Sequence, residues 1–138
     1  MSSALIALLA LAAVVGGWAA VFGGRLPDAY RTRSCQGKSW RRQFPEASKS
    51  EIRDFLSLVV ASFAFNDDQK LKLHPDDRIL CIYRALYPSP LLADALELET
   101  LARDLQRKYK AELSAVWDEK LSLGQLYSHV AARRSSVA

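Results

Sequence analysis

The sequence predicts an all-α protein, a single N-terminal transmembrane helix followed by a small four-helix bundle, and three observations predict it. No charged side chain occurs from Met1 to Gly24. Beyond that head, apolar residues recur at three- and four-residue spacing behind residues that cap helices. No segment alternates apolar and polar residues over five or more positions between turn residues, so strand signals are absent. With 138 residues, 50% hydrophobic and 25% charged, the chain has room for one small domain. It is too apolar for a disordered chain and shows no internal repeat and no low-complexity tract.

The head justifies the first element. Ala4 to Gly23 is an uncharged, mostly apolar run of 20 residues, and a helix of that length rises roughly 30 Å, the thickness of a bilayer core. Gly16 and Gly17 are tolerated in spanning helices, and Trp18 suits an interface. A cleaved secretory signal is the competing reading, but it calls for a basic segment before the apolar run, and here only Met-Ser-Ser precedes it. Arg25, Arg31, Arg33, Lys38, Arg41 and Arg42 follow the run instead, which by the positive-inside rule keeps that flank in the cytoplasm. The expectation is a single-pass protein of a bacterial inner membrane, its C-terminal domain cytoplasmic.

The division that follows is an anchor at 1–24, a basic juxtamembrane linker at 25–47, a helical domain at 48–132 and a flexible tail at 133–138. Residues 25–50 hold seven basic residues against Asp28 and Glu46, a net of +5, whereas 51–138 carry a net of −1. The basic excess is therefore confined to the linker, so the pI of about 9.2 does not indicate nucleic-acid binding. Arg25, Arg31, Arg33, Arg41 and Arg42 are candidates for the membrane surface, at roughly 1 kcal/mol each toward anionic headgroups, with Trp40 and Phe44 lying beside them. An ordinary polar linker whose arginines only set orientation is the other reading. Cys35 and Cys81 form no CxxC and no disulfide framework; Cys81 reads as a small core residue and Cys35 as exposed.

Four helical segments make the body. Ser48-Lys-Ser-Glu51 has capping-box spacing before Ile52, Phe55, Leu56, Val59, Val60 and Phe63, one wide apolar face. The polar stretch Asn66 to Leu73 reads as a turn. It leads to His74-Pro75-Asp76-Asp77, a helix start, with Ile79, Ile82, Tyr83 and Leu86 as the apolar stripe and Pro88-Ser-Pro90 as the stop. Asp94-Ala-Leu-Glu97 repeats the capping spacing ahead of Leu98, Leu101, Ala102, Leu105 and Tyr109. The last helix starts near Ser122 with Leu123, Leu126, Tyr127 and Val130 inward, and dissolves into Arg133-Arg-Ser-Ser-Val-Ala.

Residues 48–132 resemble acyl carrier proteins, the small four-helix domains that carry acyl groups on a phosphopantetheine arm. Three stretches carry the resemblance: Leu73-His-Pro-Asp-Asp-Arg-Ile79, Asp94 to Tyr109, and Ser122-Leu-Gly-Gln-Leu-Tyr-Ser-His-Val130. The resemblance implies an attachment serine in an Asp-Ser-Leu motif, but Ala95 stands there and has no hydroxyl to form the phosphodiester. It also implies that the helix opening at Asp94 meets partner enzymes, which makes Asp94, Leu96, Glu97, Glu99 and Arg103 candidate partner-binding residues. Tyr83 and Tyr87 join them as residue types enriched in binding hot spots, or else serve the core.

Catalytic chemistry is not evident. His74 and His129 are the only histidines, and neither stands beside a nucleophile in sequence. No glycine-rich phosphate loop occurs, and the paired acids Asp67-Asp68 and Asp118-Glu119 read as solvated. The expectation is a membrane-anchored, acyl-carrier-like docking or regulatory subunit, not an enzyme. Its partners would be the membrane and an enzyme of lipid, polysaccharide or natural-product synthesis, with no cofactor, metal, nucleic acid or small-molecule substrate. Two alternatives stand beside it: a working carrier modified at another serine such as Ser89, and a helical subunit of a membrane complex.

Overall fold

A computed structural model of the chain describes residues 2–22, 25–87 and 96–137, the side chains of 15–22 and 136–137 excepted. Among them the regular elements are α1 (Ser3–Phe22), α2 (Asp28–Arg31), α3 (Gly37–Gln43), α4 (Lys49–Ser62), α5 (Ile79–Leu86), α6 (Leu96–Tyr109) and α7 (Leu123–Val137). Short 3-10 turns cover Asp67–Lys72 and Leu113–Ala115. The described residues form no sheet; one isolated bridge joins Arg78 to Ser122. The all-α class stands.

The spanning anchor does not. Among the described residues no helix is long and apolar enough to cross a membrane. Gly16, Gly17 and Trp18 lie outside the described side chains, and Gly23 outside the described residues. Leu5, Ile6, Leu8, Leu9, Leu11 and Val14 are all exposed. The single-pass topology, the inner-membrane location and the membrane as partner rested on that anchor and are corrected with it.

The core sits around α4, whose face reads as its sequence spacing dictates. Ser48 caps it, its Oγ accepting a hydrogen bond from the Glu51 backbone N–H at 3.1 Å. Ile52, Phe55, Leu56, Val59, Val60 and Phe63 are all buried. α4 packs on α6, which contributes Leu101, Leu105 and Tyr109, and the Ser62 hydroxyl donates to Asp104 Oδ2 at 2.9 Å across that contact. The cap of α7 is reciprocal: Gln125 N–H donates to Ser122 Oγ at 3.1 Å while Ser122 N–H donates to Gln125 Oε1 at 3.0 Å. Leu123, Leu126, Tyr127 and Val130 then point inward. α7 continues through the stretch expected to fray, ending at Val137.

α5 starts later than Pro75 suggests. The Asp77 carboxylate accepts from His74 N–H at 2.7 Å, closing a local turn over 74–77 that competes with helix. Helix therefore begins at Ile79, where Ile79 N–H donates to Leu121 O at 3.0 Å and Leu123 N–H to Asp77 O at 2.9 Å, pinning the starts of α5 and α7 together. Cys81, expected in the core, is exposed, because the buried stripe of α5 runs through Ile79, Ile82 and Tyr83 and leaves position 81 on the opposite side.

Residues 25–47 are packed against the body. Leu26, Tyr30 and Trp40 are buried in the same core, Trp40 completely. Leu26 N–H donates to Gln69 Oε1 at 3.0 Å, Gln36 N–H to Leu71 O at 2.7 Å, and Trp40 Nε1–H to Leu73 O at 2.8 Å. These bonds lay the segment along the 3-10 turn. Trp40 is thus a core residue and not one of a membrane surface.

The end of α4 holds a strained residue. Phe65 N–H donates to Val60 O at 2.7 Å and Ala64 N–H to Ala61 O at 3.1 Å, a Schellman closure with Ala64 at φ 59°. A left-handed conformation costs an L-residue about 1–2 kcal/mol, against about 0.4–1 kcal/mol for the extra unfolded-state freedom of glycine. Ala64 is exposed and has no core contact to lose. Ala64→Gly is expected to stabilise the protein by about 0.5–1 kcal/mol, read as a higher urea midpoint at constant m-value; an unchanged or lower midpoint would contradict the left-handed assignment.

Candidate functional site

The described surface carries one cavity with a distinctive charge arrangement, built by three neighbouring segments. The bond from Gln36 N–H to Leu71 O holds the start of α3 against the 3-10 turn, which places Trp40 and Leu71 side by side. Ser48 fixes the first turn of α4, which sets Lys49 at its first position and Ile52 and Arg53 one turn on. Between them lies a mainly apolar well of about 200 Å³ floored by Trp40, Ile52 and Leu71, with Cys35 at its mouth. Trp40 and Ile52 belong to the core, so the floor is as rigid as the fold itself.

Lys38, Arg41, Lys49 and Arg53 ring this well, all four exposed, and no acidic residue lines it. Among the described residues none of the four takes part in an ion pair, whereas Arg31, Arg33 and Lys70 are paired with Asp28, Asp77 and Asp67. Their spacing opposes local stability. Lys49 and Arg53 are an i,i+4 pair of like charges, which costs about 0.2–0.5 kcal/mol. Lys49 also stands at a helix N-terminus, where the macrodipole disfavours a cation by about 0.3–1 kcal/mol. A helix optimised only for folding would hold an acid there.

The other expected site residues fall elsewhere. Asp94, Ala95 and Ser89 lie outside the described residues. Leu96 is 58% exposed at the start of α6, and Glu99 and Arg103 are exposed further along it. The Tyr87 hydroxyl donates to Glu97 Oε1, and the Tyr83 and Tyr87 rings lie 5.3 Å apart. Tyr83 is buried, so of that pair only Tyr87 reaches the surface in part. Glu97 Oε2 is buried with no hydrogen-bond partner among the described residues. The structure thus brings Tyr83, Tyr87 and Glu97 together and leaves Glu99 and Arg103 apart from them.

The arginines expected at a membrane surface are divided. Arg31 is paired with Asp28. Arg33 donates to Asp77 Oδ2 at 2.7 Å and stacks over the Tyr30 ring at 4.8 Å, and its hydrogen bond to Asp77 raises its pKa above the ordinary arginine value. Arg41 rims the apolar well, Arg42 borders a separate shallow cleft with His74, and Arg25 is exposed. Sequence reasoning missed Lys49, Arg53 and the floor beneath them. The available signal was the unopposed i,i+4 pair in the first turns of a capped helix.

Among the described residues no group of three or more His, Cys, Asp and Glu could hold a metal ion. No family model, curated protein or solved structure matches the chain. The resemblance to acyl carrier proteins is corrected accordingly. Capping boxes and leucines at helical spacing recur in any amphipathic helix, and the core here takes Tyr30 and Trp40 from ahead of the region that carried the resemblance.

Proposed function

We propose that this protein is a non-catalytic binding module whose α3 and α4 face captures a negatively charged protein partner. One observation carries the reading: four cations line an apolar well with no acid among them, and two of the four, Lys49 and Arg53, are placed where they cost the isolated fold stability. Cations held apart from intramolecular partners keep their field available to a ligand. Such a field speeds encounter and selects partners by charge, while the apolar floor supplies area to bury.

The test is affinity capture from the native host with the wild-type chain and with Lys38→Glu, Arg41→Glu, Lys49→Glu and Arg53→Glu combined, the retained proteins being identified by mass spectrometry. A discrete acidic protein retained by the wild type and absent from the reversed variant is the expected result. Identical protein sets from the two would refute the reading, provided circular dichroism shows the same helicity in both.

A further inference from the structure

We infer that the well on the α3 and α4 face is an anchor pocket for one bulky apolar side chain of an acidic peptide segment, an inference that rests on the reading above and names its ligand. Size decides between ligand classes. A pocket for a drug-sized molecule encloses about 300–1,000 Å³, and this one has about 200 Å³. That suits a single large side chain, the usual anchor of a protein interface, and leaves too little volume for a long acyl chain. The lining is mostly carbon: Leu71 is half-buried with no polar side-chain atom, and beneath it Trp40 and Ile52 are buried in the core, Trp40 with its only polar atom turned to Leu73 O. Nothing there satisfies a polar tip.

The rim specifies what flanks the anchor. Lys38 and Arg41 come from α3, and Lys49 and Arg53 from α4. Carboxylates on both sides of an apolar residue would each meet a pair of cations, whereas a lone anion at one end of a ligand would leave one pair unanswered. A peptide of alternating composition, acids around a central aromatic, matches both the sign and the layout.

The experiment uses the full chain with Cys81→Ser, so that Cys35 at the mouth of the well is its only thiol. A fluorescein-labelled peptide of glutamates around a central Phe is titrated by anisotropy at low salt, beside the same peptide with a central Ala. The reaction of Cys35 with Ellman's reagent is followed in parallel. The Phe peptide is expected to bind saturably, to slow the Cys35 reaction several-fold and to weaken steeply with added salt. Replacing Phe by Ala in the peptide, or introducing Lys49→Glu with Arg53→Glu in the protein, is expected to weaken binding about tenfold or more. The two glutamates fall in the first turns of α4, where the dipole favours them, and circular dichroism of the variant is expected to match that of the wild type.

Equal binding of the Phe and Ala peptides would overturn the anchor pocket and leave the charged face standing. Tight binding without protection of Cys35 would place the peptide elsewhere and overturn the inference. Binding of phosphatidylglycerol vesicles that the Phe peptide fails to displace would assign the face to lipid and overturn it as well. Failure of both peptides to bind at low salt would remove this inference and the proposed function together.

Discussion

Trp40→Ala is expected to destabilise the protein by about 3–5 kcal/mol, the range for truncating a fully buried tryptophan. Trp40 has no exposed surface, and its ring lies 5.9 Å from Phe44, 6.2 Å from Phe55 and 6.1 Å from Tyr127. Removal leaves a cavity between α3, α4 and α7 that rigid neighbours cannot fill, and it strips Leu73 O of its donor. Trp40→Phe keeps most of the contacts and loses the N–H, so a smaller loss of about 1–3 kcal/mol is expected. Urea unfolding followed by circular dichroism measures both. A near-zero loss for Trp40→Ala would mean that residues 25–47 are a solvated linker and that their packing is not part of the cooperative unit.

That segment shows where sequence reading stops. α4 and α7 were legible because each announces itself locally: Ser48 and Ser122 cap, and apolar residues follow at helical spacing. Residues 25–47 carry no such period. Leu26 reaches the core from the chain ahead of α2, Tyr30 from the four residues of α2 and Trp40 from the seven of α3, with Arg31 and Arg33 between the last two. Leu26, Gln36 and Trp40 hold the segment in place through hydrogen bonds to Gln69, Leu71 and Leu73, partners more than 30 residues away. A count of charges reads this stretch as a linker because most of its cations do face solvent.

The candidate site was partly written in the sequence and partly made by the fold. Lys49 and Arg53 are an unfavourable pair that any reading of α4 could have flagged, since the dipole and their mutual repulsion both oppose them. The apolar floor is different. Trp40, Ile52 and Leu71 come from α3, α4 and the 3-10 turn, and only tertiary packing sets them side by side. The same holds for Cys81, whose exposure follows from the face that α5 turns toward the core.

Asp77→Ala is expected to cost about 2–4 kcal/mol. The Asp77 side chain is 9% exposed and accepts from both Arg33 Nη1 and His74 N–H, each at 2.7 Å. A hydrogen bond to a charged group contributes about 1.5–3 kcal/mol and a lost local cap about 1 kcal/mol, and alanine forfeits both. Asp77→Asn retains an acceptor for His74 N–H while losing the charge that faces Arg33, so about half the loss is expected. A double-mutant cycle with Arg33→Ala isolates the pair, and a coupling of about 1–3 kcal/mol is expected, with little effect of added salt because the carboxylate is shielded from solvent. Zero coupling would show that Asp77 acts only on its own turn. The distinction bears on the binding face, because Arg33 leads directly into Cys35 and α3. If the pair couples as expected, Asp77→Ala loosens the segment that carries Lys38, Trp40 and Arg41, and weakens peptide capture from more than 30 residues away in sequence.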